Sequence, residues 1–584
     1  MQPISEKLKK FSRKPLLCDP PRRFGLIRKF TREEDGVLLI FGVYVFIILL
    51  MMGGIGIDLM RVERDRAKLQ NTLDRAVLAA ADLDQTLDSE AVVRDYFETS
   101  GLSESLVSVA VDEGLGYRVV SANASATIDT QFMRMTGVET LEAPASSTAE
   151  ERISGVEISL VLDVSGSMNS NSRLSNLKIA ARDFIDNIMT NSEPGSVSIS
   201  IIPYATQVSA PDYFFNELAV SQEHNYSRCI NFQAADFNTS GIDINTEYQR
   251  AMHFDPWNRF DGRDNDPVGL VQRPVCEDDA GREMVILKDD IATLKNFVTN
   301  LQAGGNTSID LGMKWGTALL DPSLQTPIAN LITAGYVHAD FSQRPHEYDQ
   351  GETIKVIVLM TDGQNTSQYY LEDEYRDGDS NIWWNDEQEV YSVYVGLDDD
   401  DQDGDEITEE PLFYWPLDDG WHDHAYGEGT YEDTTSERVC GSYKRNGSCN
   451  RYKTVQTTVV VDEPGSAKIV SYPDLWAYTT LKSNVDDHYK PWMGTSAANS
   501  DWYDTVRSYV DSTTKNTRTR TICDAAKAKS IVVYTIGFEA PSAGQTVLEN
   551  CASSVSHYFD VTGLEIVDAF SAIASSIRML KLTQ

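Results

Sequence analysis

The sequence has little positive charge for its length. Its 584 residues include 50 lysines and arginines against 89 aspartates and glutamates, which gives a net charge of −39. Because such a chain cannot neutralise phosphate groups over an extended surface, we expect no nucleic-acid partner. The chain is too long for one hydrophobic core, so we expect two or more domains. Positive charge is concentrated at the amino terminus, where residues 1–36 hold ten Lys/Arg and five Asp/Glu.

Cysteine is also scarce, with seven residues in the whole chain. Cys18 stands alone in the basic tail, and the other six lie beyond residue 200: Cys229, Cys276, Cys440, Cys449, Cys523 and Cys551. An even number suits disulfide pairing in an oxidising compartment. Cys440 and Cys449 are near enough in sequence to close a hairpin-like loop, whereas Cys523 and Cys551 flank a predicted strand and would join its neighbouring helices. Buried free thiols are the alternative for this last pair.

Charged residues are absent from Gly36 to Ile57, a run of 22 residues. A helix of this length reaches roughly 33 Å, enough to cross the apolar core of a bilayer. A cleaved signal peptide or a buried core helix would also be apolar. However, the run and the basic region before it are long for a signal peptide, and no small-residue cleavage site follows. We therefore predict a retained transmembrane helix at 36–57, after a basic cytoplasmic tail at 1–35.

The orientation of this helix does not follow from the charges next to it. Each side carries five Lys/Arg within about 20 residues, which makes the local charge rule a tie. The tail with its ten basic groups is readily retained inside, whereas long domains translocate largely regardless of charge. Together with the cysteines, this predicts a cytoplasmic amino terminus and periplasmic or extracytoplasmic carboxyl-terminal domains.

Helical spacing continues beyond the predicted membrane span. One helical face would hold Val62, Leu69, Leu73, Ala76, Val77 and Ala80. Alternating apolar and polar residues follow between 105 and 143, a pattern typical of a small antiparallel sheet. The sequence therefore predicts a long helix packed on a small sheet at 58–150. The segment LEAPASSTAE, residues 141–150, is either a linker or the final strand of that sheet.

The residues from Gly36 to Leu83, with GIGID at the end of the apolar run and LQ..LD.A.LAAAD after it, support a family resemblance. They resemble the amino-terminal segment of the TadG-like proteins of the tight-adherence (Flp) pilus assembly family. The resemblance implies a single-pass protein of the bacterial inner membrane whose partners are pilus assembly components. Gly36 is followed by Val37 and not by the Glu-rich pattern of processed pilins, so the resemblance alone does not imply cleavage of the amino terminus.

From residue 151 onward, apolar strands alternate with amphipathic helices. Fully apolar segments such as IKVIVLMT and SIVVYTIGF are typical of strands covered by helices on both faces. The alternation predicts an α/β fold for 151–584, a doubly wound parallel sheet with right-handed crossovers. We interpret two long, turn-rich and aromatic stretches, at about 205–285 and 363–515, as insertions. In such sheets, ligands bind beyond the carboxyl ends of the strands.

No catalytic histidine accompanies the oxygen-bearing residues at these strand ends. Five of them stand in three loops: Asp163, Ser165 and Ser167 in VLDVSGSM, Thr307 in QAGGNTSIDLG, and Asp362 in VLMTDGQNT. If the loops meet above the sheet edge, they supply two carboxylates and three hydroxyls. This donor set suits Mg²⁺, or Mn²⁺ and Ca²⁺, and does not suit zinc. The alternative is that these residues only cap helices, and Ser308 competes with Thr307 as the ligand from its loop.

The three loops together resemble the metal-ion-dependent adhesion site of von Willebrand factor A domains. The D-x-S-x-S pattern of that family corresponds to Asp163, Ser165 and Ser167, its loop threonine to Thr307, and its later aspartate to Asp362. The resemblance implies that the serines bind the metal directly and that the aspartates act largely through water. It also implies that a carboxylate of the partner protein completes the coordination shell.

A second acidic segment, DDDQDGDEITEE at residues 399–410, has the spacing of an EF-hand calcium loop. Its candidate ligands are Asp399, Asp401, Asp403, Asp405 and Glu410, with Gly404 at the turn position. No helical pattern flanks the segment, so a solvated acidic turn is the alternative to Ca²⁺ binding. His422 and His424 would suggest a transition metal, but without further matching ligands nearby we prefer an aromatic surface loop.

Two classes of function fit these features. The first is a membrane-anchored, non-enzymatic component of Flp pilus assembly or surface adhesion, which holds an Asp or Glu of a partner protein through a divalent cation. The second is a metal-dependent periplasmic hydrolase, since bound Mg²⁺ can activate water. Hydrolysis needs a general base and a nucleophile or a paired metal, and no Ser/His/Asp grouping is visible in the sequence. We therefore predict a binding protein.

Overall fold

The computed structural model describes residues 36–82, 85, 87–114, 117–152, 155–190, 192, 195–279, 281–348, 353–398 and 410–580. The chain divides into two compact units. The first unit contains the described residues up to Ala81, Leu87–Val111 and Val119–Ala149. The second contains the described residues from Glu150 onward, together with those of two short segments, Asp82–Thr86 and Asp112–Arg118. The predicted basic tail with Cys18 and the acidic residues 399–409 lie outside the described residues.

The longest element of the first unit is helix α1, Gly36–Ala81. Among the described residues, the part from Val37 to Ala81 is the one helix that is long and apolar enough to cross a membrane. The side chains from Val37 to Leu50 are all exposed, which would be unfavourable in water over so long an apolar surface. This helix is therefore a candidate membrane anchor.

The carboxyl-terminal half of α1 packs on a second helix and a small sheet. Helix α2 spans Ser89–Thr99, and the sheet has the order β1-β2-β3, with β1 at Leu106–Gly114, β2 at Tyr117–Asp129 and β3 at Thr140–Arg152. Five apolar residues of the predicted helical face are buried against them: Leu69, Leu73, Ala76, Val77 and Ala80. Residues 141–150 belong to β3, so this segment is a strand of the sheet and not a linker.

Two residues of GIGID determine how α1 meets the loop between β2 and β3. The buried carboxylate of Asp58 accepts hydrogen bonds from the backbone N–H groups of Gln131, Phe132 and Met133, at 3.1, 2.7 and 2.8 Å. A Cβ atom at Gly54 would lie only 2.6 Å from the Phe132 side chain, so this approach requires glycine. The residues that carry the family resemblance therefore hold the loop on the helix.

A six-stranded sheet forms the centre of the second unit. Its strands are β4 Gly155–Asp163, β5 Val197–Tyr204, β6 Val285–Lys288, β7 Thr353–Thr361, β8 Val532–Phe538 and β9 Tyr558–Val561. They lie in the order β9-β8-β7-β4-β5-β6, and all neighbours are parallel except β5 and β6, which are antiparallel. The sheet is therefore mixed and differs from the predicted all-parallel sheet at one edge. No long crossover helix separates β5 from β6 among the described residues, so β6 returns in the opposite direction.

Helices cover both faces of this sheet. One face holds α3 Arg173–Met189, α4 Ile291–Asn300 and α9 Glu565–Leu580. The other face holds α5 Ile309–Ala318, α6 Gln325–Thr333, α7 Ser512–Ala528 and α8 Ser542–Cys551. Every residue of β4 is buried, because a central strand covered on both faces has no side in contact with water.

The first insertion lies between β5 and β6. It contains a short helix, Asp212–Phe215, and a short antiparallel pair, Ile230–Asn231 with Gln249–Arg250. A disulfide between Cys229 and Cys276 closes it. Its two ends are adjacent, since the backbone N–H of Met284 donates to the carbonyl of Ser209 at 2.9 Å.

The second insertion follows β7 and leaves the sheet through an antiparallel stem, Gln368–Leu371 paired with Arg507–Val510. Inside it is a five-stranded sheet, in the spatial order Gly420–His422, Glu410–Trp415, Val390–Asp398, Asp379–Asn385 and Ala467–Ser471. A two-stranded ribbon, Thr430–Tyr443 with Cys449–Asp462, follows in sequence. Four short helices then lead back to the stem: Tyr472–Tyr478, Leu481–Ser483, Lys490–Met493 and Thr495–Asn499.

The six carboxyl-terminal cysteines form three disulfides, Cys229–Cys276, Cys440–Cys449 and Cys523–Cys551. The second lies near the turn of the ribbon, as the short spacing predicts. The third joins α7 to α8, the helices before and after β8, as their flanking positions predict.

Candidate metal centre

Asp163 ends β4 at the carboxyl edge of the sheet, opposite Tyr204 at the end of β5. Its side chain is fully buried. The Oδ1 atom accepts a hydrogen bond from the backbone N–H of Ser165 at 2.7 Å, and Oδ2 accepts one from the hydroxyl of Thr361 at 2.5 Å. Both carboxylate oxygens are thus held in fixed directions at the point where β4 and β7 end.

The loop after β4 brings the two serines to the end of β7. The hydroxyl oxygens of Ser165 and Ser167 lie 3.1 Å apart, and Ser167 donates to Oδ1 of Asp362 at 2.7 Å. The N–H of Gly166 donates to the carbonyl of Gly305 at 2.9 Å, which joins this loop to the one before α5. Four of the five predicted residues are therefore linked in one cluster.

Thr307 lies in the loop before α5, beside this cluster. A Cβ atom at Gly363 would be 3.6 Å from Thr307 Oγ1 and 3.9 Å from Ser167 Oγ, so both hydroxyls lie next to Gly363. The hydroxyl of Ser308 donates to a backbone carbonyl at 2.8 Å and accepts from Lys515 at 2.6 Å. In the part of the chain that the structure describes, Thr307 Oγ1 has no hydrogen-bond partner. This geometry favours Thr307 over Ser308 as the third hydroxyl donor.

Negative charge exceeds positive charge at the cluster. Arg173, the first residue of α3, donates to Oδ2 of Asp362 at 2.8 Å and to the carboxylate of Glu539 at 2.9 Å. When all groups are ionised, one guanidinium therefore faces three carboxylates, including that of Asp163. Burial raises the pKa of Asp163 to about 7, and the negative charge of Asp362 adds to this effect. A divalent cation would balance the remaining two charges.

Lys515, in α7, holds two loops of the cluster in place, and this role was not predicted from the sequence. Its buried ammonium group donates to the carbonyls of Thr307 and Thr366, both at 2.8 Å, and to the hydroxyl of Ser308. One side chain thus joins the loop before α5 to the loop after β7. Desolvation lowers the pKa of Lys515 to about 8, against the opposing effect of Asp310, whose carboxylate lies 4.0 Å away. In the sequence it is one lysine among polar residues, 208 positions after Thr307, and nothing local distinguishes it.

Asn365 and Thr366 add a second set of contacts between the same two loops. Asn365 Oδ1 accepts the backbone N–H of Ile309, in the first turn of α5, at 2.8 Å. The hydroxyl of Thr366 accepts the N–H of Thr307 at 2.9 Å. These bonds hold the backbone around Thr307 in place and do not involve the Thr307 hydroxyl.

The donor set of the cluster consists of oxygen atoms. Among the described residues, no group of three or more His, Cys, Asp or Glu is placed to hold a metal. Any cation here would therefore depend on hydroxyl donors together with the two aspartates. Hard divalent cations such as Mg²⁺, Mn²⁺ and Ca²⁺ accept such oxygen ligands, so the residues present fit the predicted ion.

The predicted calcium segment has a different outcome. Four of its candidate ligands lie outside the described residues: Asp399, Asp401, Asp403 and Asp405. Glu410 begins a strand, Glu410–Trp415, and Ca²⁺ binding at this segment stays a prediction. Nearby, the ring of His422 stacks on Trp415 with centroids 3.4 Å apart, and His424 Nε2 lies 3.2 Å from Glu463. Both rings contact Trp415, but their nitrogens have different carboxylate partners, because His422 Nε2 lies 3.1 Å from Asp418.

A cleft of about 540 Å³ opens beside the predicted metal site. One wall is formed by Gly166, Asn169 and residues 303–306, and the other by six residues of the first insertion: Trp257, Asn258, Gln272, Arg273, Glu277 and Arg282. Arg282 donates to the carbonyl of Gly304 at 3.3 Å and forms an ion pair with Glu277. The first insertion therefore borders the loops that carry the predicted ligands.

Comparison with known proteins gives one family match. Residues 36–83 match the family described as “Putative Flp pilus-assembly TadE/G-like”. No curated protein matches the chain.

Several solved structures resemble the chain at low sequence identity. The vWF domain of the type V pili tip protein Mfa5 from Porphyromonas gingivalis matches with a TM-score of 0.28 and 14% identity, over 73% of this chain and 96% of that one. The pilus adhesin SpaC from Lactobacillus rhamnosus GG matches with a TM-score of 0.28 and 13% identity, over 80% and 34%. The adhesive tip pilin GBS104 from Group B Streptococcus agalactiae matches with a TM-score of 0.26 and 10% identity, over 72% and 100%. The family match stands apart from these structures: over residues 36–83, the chain is similar to the TadE/G-like proteins of Flp pilus assembly.

Proposed function

We propose that this protein is a membrane-anchored binding component of Flp pilus assembly or surface adhesion. It holds an Asp or Glu side chain of a partner protein through a divalent cation, and it is not an enzyme. The observation that carries the proposal is the meeting of residues from three distant loops at one sheet edge: Asp163, Ser165, Ser167, Thr307 and Asp362. The TadE/G-like segment at 36–83 supports the pilus-assembly context.

The residues of the cluster have distinct roles in this proposal. The hydroxyls of Ser165, Ser167 and Thr307 would hold Mg²⁺, or Mn²⁺ or Ca²⁺, and Asp163 and Asp362 would balance its charge. When bound, the cation supplies an attachment point for a carboxylate. Arg173 fixes the second oxygen of Asp362 at 2.8 Å, and that oxygen is thereby kept away from the serine hydroxyls.

The domain organisation of the proposal follows the predicted boundaries. A basic tail at 1–35 remains in the cytoplasm, α1 crosses the inner membrane at 36–57, and the regions 58–150 and 151–584 lie outside the cytoplasm. Residues 151–584 form a von Willebrand factor A-like domain, whose sheet order with one antiparallel edge strand supports this assignment. Three disulfides are consistent with an oxidising compartment.

The cleft beside the metal centre would receive the partner segment around the coordinated carboxylate. Its amide side chains, from Asn169, Asn258 and Gln272, can bond to the backbone of an extended segment. Trp257 offers an aromatic surface, and the exposed Arg273 would attract a second acidic residue. Partner choice would thus depend on the first insertion as well as on the cation.

The test uses the full-length protein in detergent, with an affinity tag, to capture partners from solubilised membranes. We expect a partner that is retained in Mg²⁺, released by EDTA and recovered when Mg²⁺ is restored. Asp163→Ala should abolish its capture, whereas Asp183→Ala, at an exposed position on α3, should not. Capture that is insensitive to EDTA would contradict the proposal. Metal-dependent hydrolysis of esters or phosphoesters, lost in Asp163→Ala, would favour the hydrolase instead.

A further inference from the structure

The ribbon of the second insertion has no hydrophobic core of its own. Its strands, Thr430–Tyr443 and Cys449–Asp462, pair antiparallel from Thr430 opposite Asp462 to Tyr443 opposite Cys449. Each strand has 14 residues, which corresponds to roughly 45 Å at 3.3 Å per residue. Every residue from 430 to 462 is exposed or half-exposed. An isolated two-stranded ribbon is marginally stable in water, so its length calls for an explanation other than folding.

The far end of the ribbon concentrates positive charge in an acidic chain. Residues 438–453, here termed the basic tip, contain Arg438, Lys444, Arg445, Arg451 and Lys453 and lack Asp and Glu. The tip therefore carries +5, whereas the rest of the chain carries −44. Among the described residues, these five side chains form no ion pair. Since solubility is already provided by the net charge of −39, a solvated turn would not need this concentration of basic residues.

The basic tip also has the aromatic residues that protein interfaces favour. Tyr443 and Tyr452 are 70% and 55% exposed, and the guanidinium of Arg438 lies 5.0 Å from the centre of the Tyr452 ring. The Cys440–Cys449 disulfide holds the two strands together at this end. Exposed tyrosines and arginines are enriched at protein–protein contacts, so the tip has the composition of a contact surface.

A complementary surface lies elsewhere in the same insertion. The described residues 372–398 and 410–433 contain 16 Asp and Glu and one Arg, a net charge of −15. Two turns of the five-stranded sheet, 386–389 and 416–419, carry exposed carboxylates: Asp386, Glu387, Glu389, Asp418 and Asp419. These five residues are termed the acidic end.

The strand register places both turns of the acidic end at the same end of the sheet. Asn385 pairs with Val390 across the first turn, and Trp415 pairs with Gly420 across the second. The strands that lead into the two turns are neighbours of the same strand, in which Val393 lies opposite Tyr414. The five carboxylates therefore form one surface, whose charge matches that of the basic tip in size and opposes it in sign.

We propose that the basic tip of one copy of this protein binds the acidic end of another copy. Each copy carries both surfaces, and the contact joins two different patches, so it is head-to-tail and can extend into rows or rings. Attraction between opposite charges increases the association rate and is weakened by salt. This inference is independent of the cation site, because none of the ten residues belongs to the cluster at the sheet edge.

The test measures the mass of the full-length protein in detergent by sedimentation velocity at 50 and 500 mM NaCl, with EDTA present throughout. We expect oligomers at low salt that dissociate at high salt. The tip variant Lys444→Glu/Arg445→Glu/Arg451→Glu and the end variant Glu387→Lys/Glu389→Lys/Asp418→Lys should each be monomeric at low salt. Because all six positions are exposed, thermal unfolding should remain close to that of the wild type.

Mixing the two variants provides the decisive measurement. In the mixture, the intact basic tip of the end variant meets the intact acidic end of the tip variant, so the two should associate although neither variant does alone. A control reversal at Arg182, Lys482 and Arg520, which are also exposed, should leave association unchanged. A monomeric wild type at 50 mM NaCl, or association that neither reversal affects, would overturn the proposal. Tip-dependent binding to anionic lipid vesicles without self-association would assign the tip to a membrane surface and would also overturn it.

Discussion

The hydroxyl of Ser167 donates a hydrogen bond to Oδ1 of Asp362 over 2.7 Å, although 195 residues separate them in the chain. The contact exists because β4 and β7 are parallel neighbours whose carboxyl ends lie at the same edge of the sheet. In the proposed site, this hydroxyl and this carboxylate would share one cation. Their relationship gives the first prediction.

Ser167→Ala should weaken Mn²⁺ binding by about tenfold or more, since loss of one ligand worth about 1.4 kcal/mol changes affinity by that factor. Electron paramagnetic resonance of free Mn²⁺, titrated with the full-length protein, measures the affinity directly. Ser170→Ala is a matched control, because Ser170 lies three residues further along the same loop and is exposed. Equal affinities for the wild type and Ser167→Ala would remove this serine from the site.

Lys515→Met should lower both stability and cation affinity. It removes three hydrogen bonds to the site loops and leaves Asp310 buried, with neither carboxylate oxygen hydrogen-bonded in the described chain. Breaking a buried charge pair in this way destabilises by about 3–5 kcal/mol. Thermal unfolding and Mn²⁺ titration report the two effects separately.

The double variant Lys515→Met/Asp310→Leu distinguishes an effect of Lys515 on the position of the Thr307 loop from its effect on the stability of the protein. Replacing both charges by apolar groups should recover much of the lost stability, but the loop of Thr307 still lacks its anchor. Cation affinity should therefore remain reduced by about 10- to 100-fold. Arg520→Met, at an exposed position of α7, should change neither quantity. Recovery of wild-type affinity in the double variant would show that Lys515 acts on stability alone.

His488, in the second insertion, should make stability depend on pH. Burial lowers its pKa to about 3, with a further contribution from the positive charge of Arg263. The unfolded chain binds a proton at this position below about pH 6.5, whereas the folded chain stays neutral until near pH 3. Stability is therefore fully present above pH 6.5 and falls as the pH decreases, with a limiting slope of about 1.4 kcal/mol per pH unit.

The variant His488→Gln should have a smaller slope than the wild type between about pH 4 and 6, and the slope that remains comes in part from His224 and His253, whose pKa values burial lowers to about 4. Tryptophan fluorescence can follow unfolding here, because Trp492 donates to the carbonyl of His488 at 2.8 Å. His338→Gln, at an exposed histidine, should keep the wild-type profile. A wild-type slope in His488→Gln would assign the pH dependence to other groups.

Removal of the Cys523–Cys551 disulfide by two serine substitutions should destabilise the protein by about 3–4 kcal/mol, because the bond closes a loop of 28 residues in the unfolded chain. Chemical denaturation measures the change. Removal of Cys440–Cys449 should have a smaller effect on the main transition, since that bond joins exposed strands of the ribbon. Equal effects would imply that the ribbon unfolds together with the central sheet.

Arg273→Glu should reduce partner capture several-fold without changing Mn²⁺ affinity, because Arg273 lines the cleft and does not belong to the proposed metal site. Capture and Mn²⁺ titration on the same preparation separate these properties. Arg182→Glu, at an exposed position of α3 outside the cleft, should leave both unchanged. Capture that withstands Arg273→Glu would place the partner elsewhere around the cation.

The part of the site that could be predicted from the sequence lies at the ends of strands. Asp163 and Asp362 each end an apolar run, and parallel strands bring such ends together whatever lies between them. Lys515 and Arg173 carry no comparable signal, because each acts on residues from distant segments and looks locally like an ordinary helix residue. The antiparallel edge strand β6 was also beyond prediction, since it has four residues and follows an insertion of about 80.

The antiparallel stem of the second insertion has an evolutionary consequence. Leu371 and Arg507 are paired neighbours, so the 135 residues between them begin and end at the same place. The entropy of closing the chain at the stem does not oppose a change in the length of this segment, because loop closure depends only weakly on loop length. Lys515 and the other residues that support the proposed metal site lie outside the stem. A replacement of the insertion would, however, have to cover Met252, Phe254 and Val275 of the first insertion, which share its hydrophobic core, so the two insertions are expected to change together.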